Sequence, residues 1–153
     1  MSDFVLILPN IRSRFNVGSF FRTADGSGVK KIYLTGITPA PPHPQIDKVA
    51  LGAERFLPFE KKSQAAALIK KLKREGYQIV AVEQNRKSVP YFQAKFKKKI
   101  SLIVGNEIKG LPKSILDLAD LIVEIPMRGK KESLNVAVAG GIIMFDIAKK
   151  IFT

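Results

Sequence analysis

The sequence predicts an α/β fold, a mostly parallel sheet with helices on both faces. Three observations lead there. Phe4–Leu8, Gln78–Val82 and Ile100–Val104 are short, near-continuous apolar runs, as expected of strands buried on both sides. Segments with helical spacing stand between such runs, the alternation of βαβ units. The chain has 153 residues, 46% of them hydrophobic, which suits one domain over 1–153 with a sizeable core.

Each element has its own signal. Phe4–Leu8 is the first strand. Val17 to about Ala24 is a helix with Asn16 as its N-cap, and Asp25-Gly26 and Gly28 end it. Lys31–Thr35 is a second strand. Four prolines make the stretch from Gly36 to Gln45 an extended loop. Phe56–Phe59 reads as a short strand, and Ser63 to Glu75 as a helix closed by Gly76. Gln78–Val82 and Ile100–Val104 follow. Pro112 suits position N1 of a short helix running to Ala119, and Leu121–Ile125 is the last strand. From Asn135 to about Ile151, Val136, Gly140, Ile143, Ile147 and Ile151 share one helix face.

Charge narrows the partner. Lys and Arg number 26 against 13 acidic residues, a net charge of +13. Such an excess favours a polyanion, with a generally solvated basic surface as the plainer alternative. A membrane surface fits less well: the basic segment Lys61 to Arg74 has only a narrow apolar stripe, better suited to packing on a sheet. No apolar run approaches the roughly 20 residues of a membrane span. Without a basic n-region before its apolar run, the N-terminus reads as a strand and not a signal peptide. With no cysteine, the simplest location is the cytoplasm. Lys95 to Lys99 is a dense basic cluster, either a solubilising edge or a phosphate contact.

Several chemistries are excluded. The one histidine, His43, lies in a Pro-rich loop without the partners of a triad or metal site, so a structural role is expected and no metal. Gly105–Gly110 superficially resembles a phosphate loop, but Leu111-Pro112 stands where Lys-Ser/Thr is required. No dinucleotide fingerprint is present. What remains are the loops after two late strands, GNEIKGLP and PMRGKKESLN. Open α/β sheets place ligands at such carboxyl ends.

Three segments carry a resemblance. Asn16-Val17-Gly18 with Arg22-Thr23-Ala24, then Leu102 to Leu111, then Ile125-Pro126-Met127 with Ser133-Leu134-Asn135-Val136, resemble in order the signature motifs of the SpoU (TrmH-like) family of SPOUT-class RNA 2′-O-ribose methyltransferases. The resemblance covers about Asn10 to Lys150. It implies a C-terminal deep trefoil knot, a homodimer, and S-adenosylmethionine bent into the knotted loops. It also implies methyl transfer to a ribose 2′-hydroxyl of structured RNA. The minimal length favours tRNA over ribosomal RNA by analogy. The rival readings are a non-catalytic RNA-binding protein that keeps the fold and, less naturally at this charge, a small-molecule methyltransferase.

The resemblance also assigns residues. Glu83, Gly105, Asn106, Ile125, Met127, Ser133 and Leu134 are expected to hold the cofactor. Arg22, Asn16, Glu107, Ser133 and Asn135 form the expected catalytic set, with Asn16 capping its helix, orienting Arg22, or both. Ser133 and Asn135 suit either the ligand or a cap on the last helix. A guanidinium is effectively always protonated, so Arg22 is better read as a phosphate clamp and charge stabiliser than as a general base. Arg12, Arg14, Arg22, Arg128, Lys130 and Lys131 are expected to meet RNA. Phe145 and Phe152 are expected to extend an apolar dimer surface on the last helix.

Overall fold

The computed structural model describes residues 1–152. In chain order the elements are β1 (Asp3–Pro9), α1 (Arg14–Ser27), β2 (Lys31–Thr35), α2 (Pro44–Ala50), α3 (Ala53–Phe56), β3 (Phe59–Lys62), α4 (Ala65–Arg74), β4 (Gln78–Val82), β5 (Val89–Pro90), β6 (Lys99–Val104), α5 (Lys113–Leu116), β7 (Leu121–Glu124) and α6 (Val136–Ile151). The strands form one sheet in the order β3-β2-β1-β6-β4-β7-β5. Every neighbouring pair is parallel.

Alternation along the central strands builds two cores. Phe4, Leu6 and Leu8 of β1 and Ile100, Leu102 and Val104 of β6 face α1 and α6. Val5 and Ile7 of β1 and Ile103 of β6 face α4 and α5. Each large side chain buried this way contributes about 1.5–3 kcal/mol relative to exposure. On α4 the buried stripe is Leu68, Ile69 and Leu72, packed on the sheet as its spacing predicts.

Helix α1 is held on two sides by close contacts that only glycine permits. A Cβ on Gly18 would lie 2.6 Å from the Ile46 carbonyl oxygen of α2. One on Gly140 of α6 would lie 2.6 Å from the Phe20 ring of α1. Helix α1 therefore sits tightly against both neighbours, which fixes where Asn16 and Arg22 stand.

Several boundaries differ from the sequence expectations. Helix α1 begins at Arg14, not after Asn16: Ser13 is the N-cap and its hydroxyl accepts from the Asn16 N–H at 3.1 Å. Its stop is the left-handed Gly28, not Asp25-Gly26, which stay helical. The expected loop from Gly36 to Gln45 ends early, because Pro44 opens α2 and the His43 imidazole caps it, accepting from the Gln45 N–H at 3.1 Å. His43 thus has a structural role, as expected. The short strand is Phe59–Lys62, and Phe56 ends α3 instead. Pro112 is the N-cap of α5, not N1, and that helix ends at Leu116.

Candidate functional site

The loops that leave β4, β6 and β7 meet at the carboxyl ends of those strands, as ligand sites in open α/β sheets do. They enclose a cleft of about 220 Å³. Val82, Glu83 and Gln84 line it from the end of β4 and the loop after it, Gly105 to Glu107 and Gly110 from the loop after β6, and Glu124, Ile125, Met127, Ser133 and Leu134 from the end of β7 and the loop after it. All seven expected cofactor-binding residues are therefore brought together.

The first loop is held by its own polar groups. The Asn106 side chain accepts from the Ile108 and Lys109 N–H groups, both at 2.9 Å, and donates to the Asn10 carbonyl at 2.7 Å. The Glu83 carboxylate accepts from the Leu111 N–H at 2.7 Å. Gly110 is left-handed (φ +67°), and a Cβ there would strike that carboxylate. A small residue able to adopt positive φ is thus required on both counts.

The three resembling segments are joined by one chain of side-chain hydrogen bonds. The Glu107 carboxylate accepts from the Arg12 N–H (3.1 Å), the Ser13 N–H (2.9 Å) and the Asn16 amide (3.1 Å). The Asn16 side-chain oxygen accepts from the Asn135 amide at 3.2 Å. The Asn135 oxygen caps α6, accepting from the Ala137 and Val138 N–H groups at 2.8 and 3.2 Å. Glu107 thus sits at the positive end of α1, where a carboxylate is favoured. Burial raises its pKa, but the Ser13 and Arg12 N–H groups and the Asn16 amide outweigh that and hold it below the ordinary value. Asn16 is only 5% exposed, so each end of its amide needs a partner and has one.

Other expected residues lie elsewhere. Arg12, Arg14, Arg128, Lys130 and Lys131 are exposed; none lines the cleft, and the last three lie in the loop after β7 that does. Arg22 is exposed on α1 and does not line the cleft, and its guanidinium makes no hydrogen bond or ion pair among the described residues. Within the chain Asn16 makes no hydrogen bond to it; the Asn16 amide bonds Glu107 and Asn135 instead. Beside Arg22, Ser19 and Thr23 line a shallow groove with Phe15, Val138, Ile142 and Phe145. Phe15 and Phe145 are 63% and 51% exposed. Phe152 packs against Gly28 at the end of α1.

Sequence reasoning missed Gln84, whose amide donates to the Glu132 carbonyl at 2.6 Å and ties the β4 end to the last loop. It also missed Glu124, which lines the cleft. A polar pair directly after an apolar strand, Glu83-Gln84, was the available signal.

The charge of the cleft is informative. In a chain of net charge +13, its lining includes Glu83, Glu107 and Glu124 and no Lys or Arg. Ile125, Leu134 and Val136 supply apolar surface. That donor set fits S-adenosylmethionine, which carries a sulfonium, an ammonium and a flat adenine.

A fully parallel sheet with this cleft between its late loops matches the SPOUT methyltransferase fold. The chain belongs to the SpoU rRNA methylase family, whose model matches residues 3–145. The tRNA (guanosine(18)-2′-O)-methyltransferase of Aquifex aeolicus is 30% identical over 149 residues, 97% of this chain and 70% of that protein. The AdoMet-bound rRNA methyltransferase of Sinorhizobium meliloti has a TM-score of 0.92 at 28% identity, over 100% of this chain and 59% of that one. A structure concerned with 2-OH methylation of C/U34 on tRNA has a TM-score of 0.87 at 25% identity, over 99% of this chain and 97% of that one.

Proposed function

We propose that this chain transfers a methyl group from S-adenosylmethionine to a ribose 2′-hydroxyl of structured RNA, with tRNA as the preferred class. The observation that carries the reading is an acidic, cation-free cleft within a strongly basic chain, framed by the Glu107–Asn16–Asn135 hydrogen bonds. The cofactor supplies an electrophilic methyl group when bound. The chain's own residues do the rest. The loops after β6 and β7 shape the cleft, and Ile125 and Leu134 give it apolar walls. Glu107, held ionised, fixes the start of α1. Arg12, Arg14, Arg128, Lys130 and Lys131 meet phosphates around the cleft. The tRNA preference is supported by the similar structure concerned with 2-OH methylation of C/U34 on tRNA, at 25% identity.

Arg22 requires a second copy. It lies outside its own chain's cleft, on the helix that lines the apolar α1–α6 groove. In this reading two chains pair across that groove, and the partner subunit's Arg22 reaches the RNA beside the cleft. There it holds a phosphate and stabilises the negative charge that develops on the 2′-oxygen as that oxygen takes the methyl group and its proton passes to solvent water. The C-terminal loops are taken to form the family's trefoil knot.

Mapping 2′-O-methylation in total RNA from cells with and without the gene tests the proposal. Loss at one tRNA ribose is expected. Loss at a ribosomal site would overturn the tRNA preference, and no change at any ribose would favour a binding role without catalysis.

A further inference from the structure

We propose that the amino end of the sheet, opposite the cleft, carries a second RNA contact: Lys95, Lys97 and Lys98 hold the phosphodiester backbone of a folded RNA far from the methylated ribose. The proposal rests on the RNA reading above and extends it to a second surface.

These lysines are displayed on an ordered support. Their segment crosses the starts of β1, β4 and β6. The Asp3 N–H donates to the Lys98 carbonyl at 2.7 Å. The Gln78 amide donates to the Lys95 carbonyl at 3.2 Å, and its oxygen accepts from the Lys97 N–H at 2.8 Å. The backbone is therefore pinned on both sides while all three side chains point into solvent. Among the described residues their ammonium groups have no carboxylate partner within 4.0 Å.

Neighbouring cations are engaged. Lys30 pairs with Asp3 at 2.8 Å, and Lys150 pairs with Asp146 at 2.8 Å. Lys99 donates to the Glu75 carbonyl and covers the Tyr77 ring. Of the nearby acids, Asp3 and Asp146 are matched and Glu75 is in no ion pair among the described residues, so three free lysines against one free carboxylate leave a local positive field. Helix capping does not account for them. Lys149 and Lys150 sit in the last turn of α6, where the helix dipole favours cations, but Lys95, Lys97 and Lys98 belong to no helix.

Distance decides what they can touch. The seven residues of β1, at about 3.3 Å each, put roughly 20 Å between this patch and the cleft. That is about twice the screening length at 0.1 M salt, so the lysines do not act on the bound cofactor. A ligand that meets both ends must be a long polyanion with regularly placed charges. Lysines acting as point charges on phosphates would add affinity without reading sequence. The expected consequence is a preference for folded RNA over a short strand containing only the target nucleotide.

The test compares the full-length protein with its Lys95→Gln/Lys97→Gln/Lys98→Gln variant. Binding to mixed cellular tRNA and to a short single-stranded oligoribonucleotide is measured across a salt series. Calorimetry with S-adenosylmethionine establishes that the variant keeps its cleft, and the triple Lys→Arg variant serves as charge-conserving control. For tRNA, the slope of log affinity against log salt is expected to fall in magnitude by about 2–3 in the Gln variant. Oligonucleotide binding and the Arg control are expected to be unchanged. An unchanged tRNA slope, or equal loss on both ligands, would overturn this inference and leave the proposed function standing. A wild-type protein that binds no RNA at low salt would overturn both.

Discussion

The side-chain amide of Asn135 donates a 3.2 Å hydrogen bond to the side-chain oxygen of Asn16, 119 residues earlier in the chain. Asn16 passes the connection to Glu107, so one small amide joins the starts of two helices to the loop after β6. Replacing Asn16 with Ala leaves a carboxylate and an amide short of a partner each. A loss of roughly 1–3 kcal/mol is expected. Chemical denaturation of the purified variant measures it. A change below about 0.5 kcal/mol, the size of an ordinary surface effect, would contradict the framing role.

The Glu107 carboxylate makes the frame pH-dependent. Its folded pKa lies below the ordinary 4.5 because of the hydrogen bonds it accepts. Its stabilising contribution is therefore present above that value and lost as the pH falls below it. Glu107→Gln is expected to lower stability near neutrality, with the gap to wild type closing as the pH drops below the ordinary value. Denaturation at several pH values reads this out, and a gap that widens toward acid would show the sign to be wrong.

Gly110 and Glu83 are expected to couple. Gly110→Ala places a Cβ into the Glu83 carboxylate at positive φ, so cofactor affinity should fall at least about tenfold, roughly 1.4 kcal/mol. In a Glu83→Ala background the same substitution should cost clearly less, because the two residues share one space. Calorimetry on the four proteins measures the coupling. Strict additivity would mean that the loop is held in another way.

Helix α1 should tolerate little growth at Gly18. Gly18→Ala brings a methyl within 2.6 Å of the Ile46 carbonyl and 2.9 Å of the Val49 Cβ. Overpacking of that kind costs about 1–3 kcal/mol, and thermal unfolding should show a lowered midpoint. An unchanged midpoint would mean that α2 shifts freely.

Much of this was legible in the sequence, for physical reasons. The strands β1, β2, β4, β6 and β7 read within a residue or two, because burial on both faces leaves continuous apolar runs. The start of α1 did not, since Ser13 and Asn16 are both good caps and the first turn, Arg14-Phe15, carries no buried stripe. Helix α2 was hidden by prolines that signal loops except at N1, where Pro44 sits. The cleft residues were legible because they lie in three local segments. The position of Arg22 was not: its residue type and motif are local, but its distance from the cleft follows from how α1 packs between α2 and α6.

Arg22 therefore bears most of the mechanistic weight. Arg22→Ala is expected to leave S-adenosylmethionine affinity unchanged and to lower kcat about a hundredfold or more, the scale of losing one charge-stabilising donor. Arg22→Lys should recover part of that activity, since it keeps the charge and loses the bidentate fork. Near-wild-type turnover in Arg22→Ala would remove it from the mechanism.

The most direct measurement incubates purified protein with methyl-labelled S-adenosylmethionine and cellular tRNA, then maps the label to a nucleotide and an atom. Label is expected on a ribose 2′-oxygen at a defined tRNA position. Label on a base, or RNA left unlabelled while the cofactor binds, would contradict 2′-O-methylation by this chain.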